Sequence, residues 1–286
     1  MTAIGEVNLT ETTQSIPKSF LRWAGSKKQL LPLLKRFWHG NHCRYIEPFA
    51  GSACLFFELQ PVSGILGDVN VELIQVYEQI KANPTDVSRL LEQALKSKDE
   101  YYRLRASEPE VLGPAERAAR FIYLNRYCFN GLYRTNMQGK FNVPYGGEKA
   151  GNLPSSALLM ACHKALQNTT LIPGDFDKTL QCAERGDFVY MDPPYSVASC
   201  RVFKEYTAAS FTKEDVDRLR AWMDTLTDRG VEFIVSYADC PESEGLSENY
   251  ESRFVLTHRH IAGFVSKRGE IREMMISNHR RVSGKN

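Results

Sequence analysis

The sequence predicts an α/β fold in which helices cover a parallel sheet and a helical segment is inserted between two of the strands. Two observations support this prediction. Short apolar runs that end in an acidic residue occur on both sides of the chain's middle, at 64–68 and 186–192. Between them the apolar residues mostly follow a helical period. Because strands that alternate with helices pair in parallel, we expect one sheet to continue across the middle segment.

The first strand–helix–strand unit lies early in the chain. RYIEPF (44–49) is typical of a short buried strand, AGSA (50–53) of a turn, and CLFF (54–57) of the start of a helix. GILGD (64–68) predicts a second strand, and residues 71–80 predict the helix that follows it. The order of strand, glycine turn, helix, strand and acid is typical of a nucleotide-binding α/β unit.

The middle of the chain predicts helices and one tight turn. Amphipathic residues at 84–105 and 115–127 predict two helices, and residues 157–166 predict a third. YCFNGLYR (127–134) places an Asn-Gly pair between aromatic flanks, which predicts a β-hairpin. The composition of residues 139–147 is that of a loop.

The last third predicts further strands of the same sheet. They are expected at 170–172, 186–192, 231–237, 254–260 and 274–278. A helix over 212–226 begins with the capping pattern Thr212-x-x-Asp215. The domain boundaries that we predict are a flexible leader at 1–17, a core at 18–70 and 165–286, and an inserted domain at 71–164.

The charge of the chain is nearly balanced but unevenly distributed. The formal net charge is +2, from 36 lysines and arginines against 34 acids. Residues 12–43 and 117–147 contain no acid, and the residues from Arg253 onward are mostly basic. Three basic segments favour one composite basic face that binds nucleic acid, with ordinary solvated charge as the alternative.

Other features argue against membrane, disulfide and metal classes. No run approaches the roughly 20 apolar residues that span a bilayer, so we expect no membrane segment. The seven cysteines form no C-x-x-C pair and are odd in number, which favours reduced thiols. The six histidines show no metal-binding spacing, so we expect no metal.

A candidate cofactor site lies where the first strand ends. EPFAGS (47–52) gives a glycine-containing turn ahead of a helix, where a ligand can approach the backbone. Asp68 follows Gly51 by 17 residues, at the end of the next strand. Its carboxylate can accept hydrogen bonds from both hydroxyls of a ribose. The alternative is that Asp68 caps the helix that follows.

A second candidate segment is FLRWAGSK (20–27), just ahead of a helix that we expect to begin near Gln29. Lys27 can reach a ligand carboxylate, and the backbone can line a pocket. The alternative is a helix-entry turn anchored by a buried Trp23.

The most specific motif is Asp192-Pro193-Pro194-Tyr195, which follows an apolar strand. Two prolines hold the turn stiffly extended and donate no hydrogen bond, so the turn presents acceptors. Those acceptors suit a planar amino group such as that of adenine. The Asp192 carboxylate and the Pro193 carbonyl would draw its hydrogens and free the nitrogen lone pair, while Tyr195 stacks on the ring. The alternative is an ordinary proline-rich turn.

Seven motifs together resemble the DNA adenine methylase (Dam) family. They stand in the family's order: FLRWAGSK (20–27), EPFAGS (47–52), DVN (68–70), YLNRY (123–127), FNGL (129–132), FNVP (141–144) and DPPY (192–195). The resemblance is weaker beyond residue 195. It implies a Rossmann-like core that uses S-adenosylmethionine as cofactor, formed by 18–70 and 165–286. It also implies that 71–164 is a helical and hairpin target-recognition domain that binds DNA.

The resemblance also implies the roles of individual residues. Catalysis is expected at Asp192, Pro193, Pro194 and Tyr195. Contacts to S-adenosylmethionine are expected at Trp23, Lys27, Glu47, Pro48, Phe49, Gly51, Ser52, Asp68, Val69, Asp175, Phe176 and Asp192. Contacts to DNA are expected at Arg22, Arg126, Phe129, Asn130, Arg134, Asn142 and Pro144.

The implied reaction is direct, in-line methyl transfer to N6 of an adenine flipped out of duplex DNA. GATC is the expected target, because Arg134 matches an arginine that reads guanine. Two positions depart from the family, since Phe129 stands where a tyrosine is expected and Arg22 where a lysine is common. The implied partners are double-stranded DNA and a companion restriction endonuclease. We expect a cytoplasmic, nucleoid-associated monomer.

Two other readings stay open. One is a methyltransferase that acts on RNA or on a protein glutamine amide, whose nitrogen poses the same lone-pair problem. Asp192 and the basic Asn-Gly segment favour DNA instead. The other is a non-catalytic DNA-binding homologue, against which the joint presence of Asp68, Asp192 and Tyr195 argues.

Overall fold

The computed structural model describes residues 18–136, 138–147, 150–194, 211–258 and 270–279. The predicted leader at 1–17 and Tyr195 of the predicted catalytic turn lie outside these residues. The strands are β1 (Tyr45–Glu47), β2 (Gly64–Asp68), β3 (Thr169–Pro173), β4 (Phe188–Met191), β5 (Glu232–Ala238), β6 (Glu251–His258) and β7 (Glu270–Ser277). The helices are α1 (Leu31–Leu34), α2 (Cys54–Leu59), α3 (Val71–Ala82), α4 (Pro84–Gln93), α5 (Lys98–Ala106), α6 (Pro114–Tyr127), α7 (Ser156–Leu166), α8 (Phe176–Leu180), α9 (Lys213–Arg229) and α10 (Pro241–Ser247).

The seven strands form one sheet in the order β3-β2-β1-β4-β5-β7-β6. The first five are parallel to one another, and β7 runs antiparallel to both β5 and β6. The predicted α/β class is therefore confirmed. The strand order reverses between β1 and β4, and in such sheets the crevice at the carboxyl ends of the strands is where ligands bind.

Side chains of the central strands alternate between two buried clusters, one on each face of the sheet. Tyr45 and Tyr190 belong to the cluster that includes α3 to α7, whereas Ile46 and Val189 belong to the cluster that includes α9. Successive side chains of a strand point to opposite faces, and here both faces are covered. This explains why β4 appears in the sequence as a continuous apolar run without polar alternation.

The single helix expected over 84–105 is a wrong prediction, because the chain forms α4 and α5 with a break between them. The break begins at Ala94, whose backbone is extended. Ser97 then starts α5, accepting a hydrogen bond from the Glu100 N–H with its side chain at 3.1 Å. A serine in this position offers the backbone a cap in place of a continued helix.

The hairpin predicted at the Asn-Gly pair is also wrong. Asn130 and Gly131 do adopt positive φ angles of 56° and 66°, but their flanks pair with a later segment and not with each other. Isolated antiparallel bridges join Cys128 to Tyr145 and Thr135 to Phe141. The turn of this ribbon, residues 127–146, lies instead at Asn136, whose side chain accepts the Lys140 N–H at 2.9 Å. The Asn-Gly conformation is local, whereas strand pairing is decided by the wider fold.

The other predicted elements are present within a few residues of their expected bounds, while α8 and α10 were not predicted. Helices α3 to α7 all lie between β2 and β3, and they share a buried cluster with the sheet. A separate domain at 71–164 therefore stays a prediction. Within the described residues, no helix combines the length and the apolar character needed to cross a bilayer.

Replacing Gly67 by Ala should loosen the packing of α8 on the sheet. A β-carbon at this position of β2 would overlap the hydroxyl of Thr179 and lie 3.0 Å from its Cβ. Because Thr179 is fully buried, we expect the free energy of unfolding in urea to fall by roughly 1–3 kcal/mol. Gly245→Ala in α10 is the control, since an added β-carbon there would have no described neighbour within 4 Å apart from the adjoining residues and its own helix backbone. Equal stability of the two variants would contradict this packing argument.

Candidate active site

Three carboxylates gather at the crevice edge of the sheet. Glu47 ends β1, Asp68 ends β2 and Asp192 directly follows β4. Because these three strands are parallel neighbours, their carboxyl ends share one edge. Pro193 is buried and Pro194 exposed, while Tyr195 lies outside the described residues. The fold thus brings the cofactor and catalytic motifs predicted from the sequence to one place.

The glycine turn after β1 is held by Asp68. The Gly51 N–H donates to Asp68 Oδ2 and the Asn70 N–H to Oδ1, both at 2.9 Å. Burial raises the pKa of Asp68, and these two hydrogen bonds lower it in part. Asn70, and not Asp68, caps α3 by accepting the Leu73 N–H. The alternative role of Asp68 as a helix cap is therefore removed, and each oxygen keeps a lone pair for a ligand.

Trp23 packs directly on this turn. Gly51 has a φ of +46°, and a β-carbon there would lie 2.9 Å from two atoms of the Trp23 indole. The indole also contacts Tyr133 of the ribbon, whose ring stacks on it with centroids 5.8 Å apart. Trp23 is half-buried and therefore joins the glycine turn to the ribbon.

The segment at 20–27 is fastened to α6 by a residue that the site prediction missed. The side-chain amide of Asn125 accepts from the Arg22 N–H at 2.9 Å and donates to the Arg22 carbonyl at 2.6 Å. Asn125 is only 1% exposed. Its position inside the YLNRY motif, between aromatic residues on a helix, was the available signal.

A buried ion pair orients Asp192. The Lys27 Nζ lies 2.8 Å from Asp192 Oδ1 and 3.6 Å from Glu273 Oε2, and both Lys27 and Glu273 are buried. The hydroxyl of Ser236 donates to the same Asp192 oxygen at 3.0 Å and is itself paired with the Tyr190 hydroxyl. Glu273 and Ser236 were not predicted, although an acid inside the apolar run of β7 was a visible signal.

Glu47 is the most deeply buried carboxyl group at this edge. The Tyr45 hydroxyl donates to Glu47 Oε2 at 2.9 Å. Burial raises the pKa of Glu47 well above its usual range, and the nearby carboxylates of Asp192 and Asp68 raise it further. Its neighbours in the turn, Pro48 and Ser52, are buried as well.

An aromatic cluster borders the edge beside β1. The ring centroids of Phe49 and Phe176 lie 5.3 Å apart, and Phe211 lies 6.0 Å from Phe49. Asp175 caps α8 and accepts from both terminal nitrogens of Arg218, which lowers its pKa. These contacts give Asp175 a structural role, and its cofactor contact stays a prediction.

Val69, at the end of this edge, is 64% exposed. It follows Asp68 and precedes the α3 cap at Asn70, so its side chain is accessible to a ligand bound at the turn.

The residues predicted to contact DNA fall into two groups. In the first, Arg22 donates a hydrogen bond to the Arg126 carbonyl at 3.3 Å. Burial lowers the pKa of Arg126, and the positive charge of Arg22 lowers it further. In the second, on the ribbon, Arg134 Nε donates to the Asn142 side-chain oxygen at 2.8 Å.

The ribbon also brings together the remaining predicted DNA contacts. Phe129 is 41% exposed and its N–H donates to the Pro144 carbonyl, with Asn130 next to it in a left-handed conformation. Many side chains of this ribbon are half-buried or exposed, and its Tyr133 stacks on Trp23.

Comparisons with known proteins relate the chain to adenine-specific DNA methyltransferases. The profile of the family described as D12 class N6 adenine-specific DNA methyltransferase matches residues 23–260. The Type II methyltransferase M1.LlaDCHI of Lactococcus lactis subsp. cremoris is 36% identical over 282 residues, covering 96% of this chain and 99% of that protein. The Type II methyltransferase M.MjaIII of Methanocaldococcus jannaschii is 34% identical, covering 92% and 99%. The DNA adenine methylase of Escherichia coli K12 is 30% identical, covering 90% and 94%.

Replacing Glu47 by Gln should flatten the dependence of stability on pH. The pKa of Glu47 is raised in the folded protein. The protonated group therefore adds to the free energy of unfolding at a pH below the pKa that Glu47 has in the unfolded chain. That added stability is lost as the pH rises toward the pKa in the folded protein. Over that window the wild-type free energy of unfolding loses up to about 1.4 kcal/mol per pH unit from this group. Urea unfolding from about pH 5 to about pH 8 should show the variant gaining relative stability with pH.

The control for this measurement is Glu100→Gln on α5. Arg103 lowers the pKa of Glu100, so this carboxylate stabilises the fold at a pH above the pKa that it has in the unfolded chain. The pH dependence of that stabilisation has the opposite sign to that of Glu47, and solvent screens it strongly. Parallel profiles for Glu47→Gln and the wild type would show that Glu47 titrates as in the unfolded chain.

Proposed function

The chain belongs to the D12 class of N6-adenine-specific DNA methyltransferases, and on that premise we propose that it methylates adenine within GATC in duplex DNA. The observation that carries the proposal is the orientation of the Asp192 carboxylate at the crevice edge. The proposed catalytic turn comprises Asp192, Pro193, Pro194 and Tyr195.

The residues at this edge fit S-adenosylmethionine. Asp68 offers a carboxylate at the end of β2 for two ribose hydroxyls, and Gly51 lets Trp23 pack closely against the turn beside it. Phe49 and Phe176 offer an apolar, aromatic surface for the adenine ring. When bound, S-adenosylmethionine supplies a methyl group on a positively charged sulfur, which is open to attack by a nucleophile.

In the proposed mechanism, Asp192 makes the target amine reactive. Lys27 and Ser236 both contact Oδ1 of Asp192, and we assign the other oxygen, Oδ2, to the substrate. Oδ2 and the Pro193 carbonyl would then accept the two hydrogens of adenine N6, so that the lone pair leaves the ring plane. The lone pair would take the methyl group that bound S-adenosylmethionine supplies, the carbon–sulfur electrons would stay on sulfur, and the proton that N6 loses would pass to solvent. Asp192 stabilises the positive charge that develops on N6.

Lys27 acts, in this proposal, as a positioning residue for Asp192. Its single positive charge already faces two carboxylates, those of Asp192 and Glu273, in a buried site. These contacts support orientation of Asp192 as the role of Lys27, and its expected contact with the cofactor stays a prediction.

The proposed DNA-binding surface is the ribbon at 127–146 together with Arg22 and Arg126. Arg134 uses Nε for its hydrogen bond with Asn142. We propose that the two terminal nitrogens of Arg134 donate to O6 and N7 of a guanine, a pairing that their geometry suits. The GATC target rests on that arginine. An amine inside a base-paired stack cannot reach Asp192, so the target base must flip out of the duplex.

We also propose a companion restriction endonuclease, because two relatives are named Type II methyltransferases. We propose further that the enzyme works as a monomer on DNA in the cytoplasm.

The decisive experiment compares wild-type protein with Asp192→Ala on unmethylated plasmid and labelled S-adenosylmethionine. Wild type should label the DNA and protect GATC from a nuclease that cuts only the unmethylated sequence. Asp192→Ala should lower the rate of transfer by at least about 100-fold, since it removes the acceptor aimed at the developing charge. Asp239→Ala is the control, because Asp239 also follows a strand at this edge yet pairs with Arg272.

Each other outcome identifies an alternative. Label in DNA without GATC protection rejects the target and keeps the reaction, whereas label only in added RNA or protein rejects the DNA substrate. Residual transfer by Asp192→Ala within about tenfold of wild type would show that the carboxylate is not central. Wild type and Asp192→Ala should both bind a duplex that carries 2-aminopurine at the target position and raise the fluorescence of that base. Unchanged fluorescence would argue against base flipping.

Replacing Arg134 by Ala should relax discrimination at one base pair. Loss of a bidentate contact to guanine is expected to reduce the preference for the correct base by about 1–3 kcal/mol, equal to roughly 5-fold to 150-fold in kcat/KM. Rates on GATC and on duplexes with one substituted base pair give that ratio. Arg103→Ala, an exposed arginine paired within α5, serves as the control. A uniform loss across all duplexes would identify Arg134 as a phosphate contact.

A further inference from the structure

Three histidines and a glutamate meet at the edge of the sheet opposite the candidate active site. The Oε2 atom of Glu232 lies 3.0 Å from His42 Nε2 and 3.3 Å from His279 Nδ1. The ring centroid of His39 lies 5.2 Å from that of His279 and 5.9 Å from that of His42. One ligand atom each from His39, Glu232 and His279 fits within 4.8 Å of the others.

The fold explains why residues so distant in sequence meet here. Glu232 begins β5 and His279 follows β7, and because these strands are antiparallel the two positions share an edge. Asn278 fixes the second of them, since its side chain accepts from the Phe233 N–H at 2.9 Å and donates to the Val231 carbonyl at 2.8 Å.

The loop ahead of β1 supplies the other two histidines. His42 is stacked on Trp38 with ring centroids 5.0 Å apart, and its side chain is only 5% exposed. His39 is exposed and lies at the open side of the cluster. The cluster therefore has a fixed interior and one accessible member.

We propose that His39, Glu232 and His279 bind a divalent zinc ion, with His42 as the outer partner that donates to Glu232. Two imidazoles and a carboxylate form a ligand set that zinc takes readily, with a fourth position for water. Ligands of a tetrahedral zinc lie about 3.3–3.4 Å apart, which matches the 3.3 Å between Glu232 and His279. His39 completes the set by a side-chain rotation, which its exposure permits.

The composition of the cluster suits a bound cation. One carboxylate oxygen faces two imidazoles, and a third ring stacks beside them. A neutral imidazole carries a lone pair on one of its ring nitrogens, and that lone pair is what a metal ion binds. A cation that binds neutral imidazoles uses those lone pairs and pairs with the carboxylate. The buried His42 Nδ1 has no hydrogen-bond partner among the described residues, so the contact of the ring with Glu232 is made through Nε2.

The proposed zinc is structural, because it lies away from the chemistry. Glu232 precedes Ser236, the contact of Asp192, by four strand residues, which is about 13 Å along β5. The ion would tie the loop before β1 to the ends of β5 and β7. The sequence prediction of no metal relied on short spacings, and these ligands are separated by most of the chain.

The test is a calorimetric titration of chelator-treated, tag-free full-length protein with zinc chloride. We expect one zinc per chain and a higher melting temperature with zinc than without it. His39→Ala and Glu232→Gln should each weaken zinc binding by at least about tenfold, and His39 is exposed enough that its loss leaves the fold intact. His163→Ala on α7, outside the cluster, is the matched control and should bind as the wild type does.

Cobalt(II) in place of zinc identifies the ligands. The proposal expects the absorption of a nitrogen- and oxygen-bound ion without a band from thiolate-to-cobalt charge transfer. Such a band would assign the metal to the cysteines and overturn the proposal. Absence of binding overturns it as well, and so does equal affinity in the wild type, His39→Ala and Glu232→Gln, with folding of each variant checked by circular dichroism.

Discussion

The ion pair between Lys27 and Asp192 is the interaction on which the geometry of the crevice depends. It joins the segment before β1 to the end of β4, and through Glu273 it reaches β7. Burying such charges costs several kcal/mol in desolvation, which their attraction largely offsets, so the pair adds little net stability. Its consequence is orientation, because it holds Oδ1 of Asp192 and fixes the direction of the carboxylate at the edge where the strand order reverses.

The segment at 20–27 connects this ion pair with the surface proposed to bind DNA. Asn125 holds the backbone of Arg22 against α6, and Trp23 lies between Gly51 and Tyr133 of the ribbon. The ribbon, the glycine turn and the segment that carries Lys27 are therefore connected through a few packed residues. Under the proposed function, these contacts are the candidate connection between the DNA-binding surface and Asp192.

The parts of the fold that could be predicted are those fixed by local patterns. The unit from β1 to α3 could be read from its apolar runs and turns, and Asp68 and Asp192 from their places at strand ends. The helix break before Ser97 and the strand pairing of the ribbon could not be predicted from the sequence. At each place the local sequence allows two conformations, and the surrounding fold decides which one forms. At Asn130 the predicted backbone conformation is present, yet the expected strand partner is replaced by a segment beyond Asn136.

The residues that sequence reasoning missed in the site share one physical cause. Ser236 on β5 and Glu273 on β7 contact Asp192 and Lys27 only because these strands lie side by side beyond β4. A motif search finds residues that are close in sequence, whereas the edge of a sheet is formed by residues from strands that are distant in sequence. The same strand, β5, carries Ser236 toward the crevice and Glu232 at the opposite edge, so its register with β7 sets both clusters. A one-residue slip would turn both side chains to the other face and break both clusters together, which makes that register the constraint that the crevice and the histidine cluster have in common.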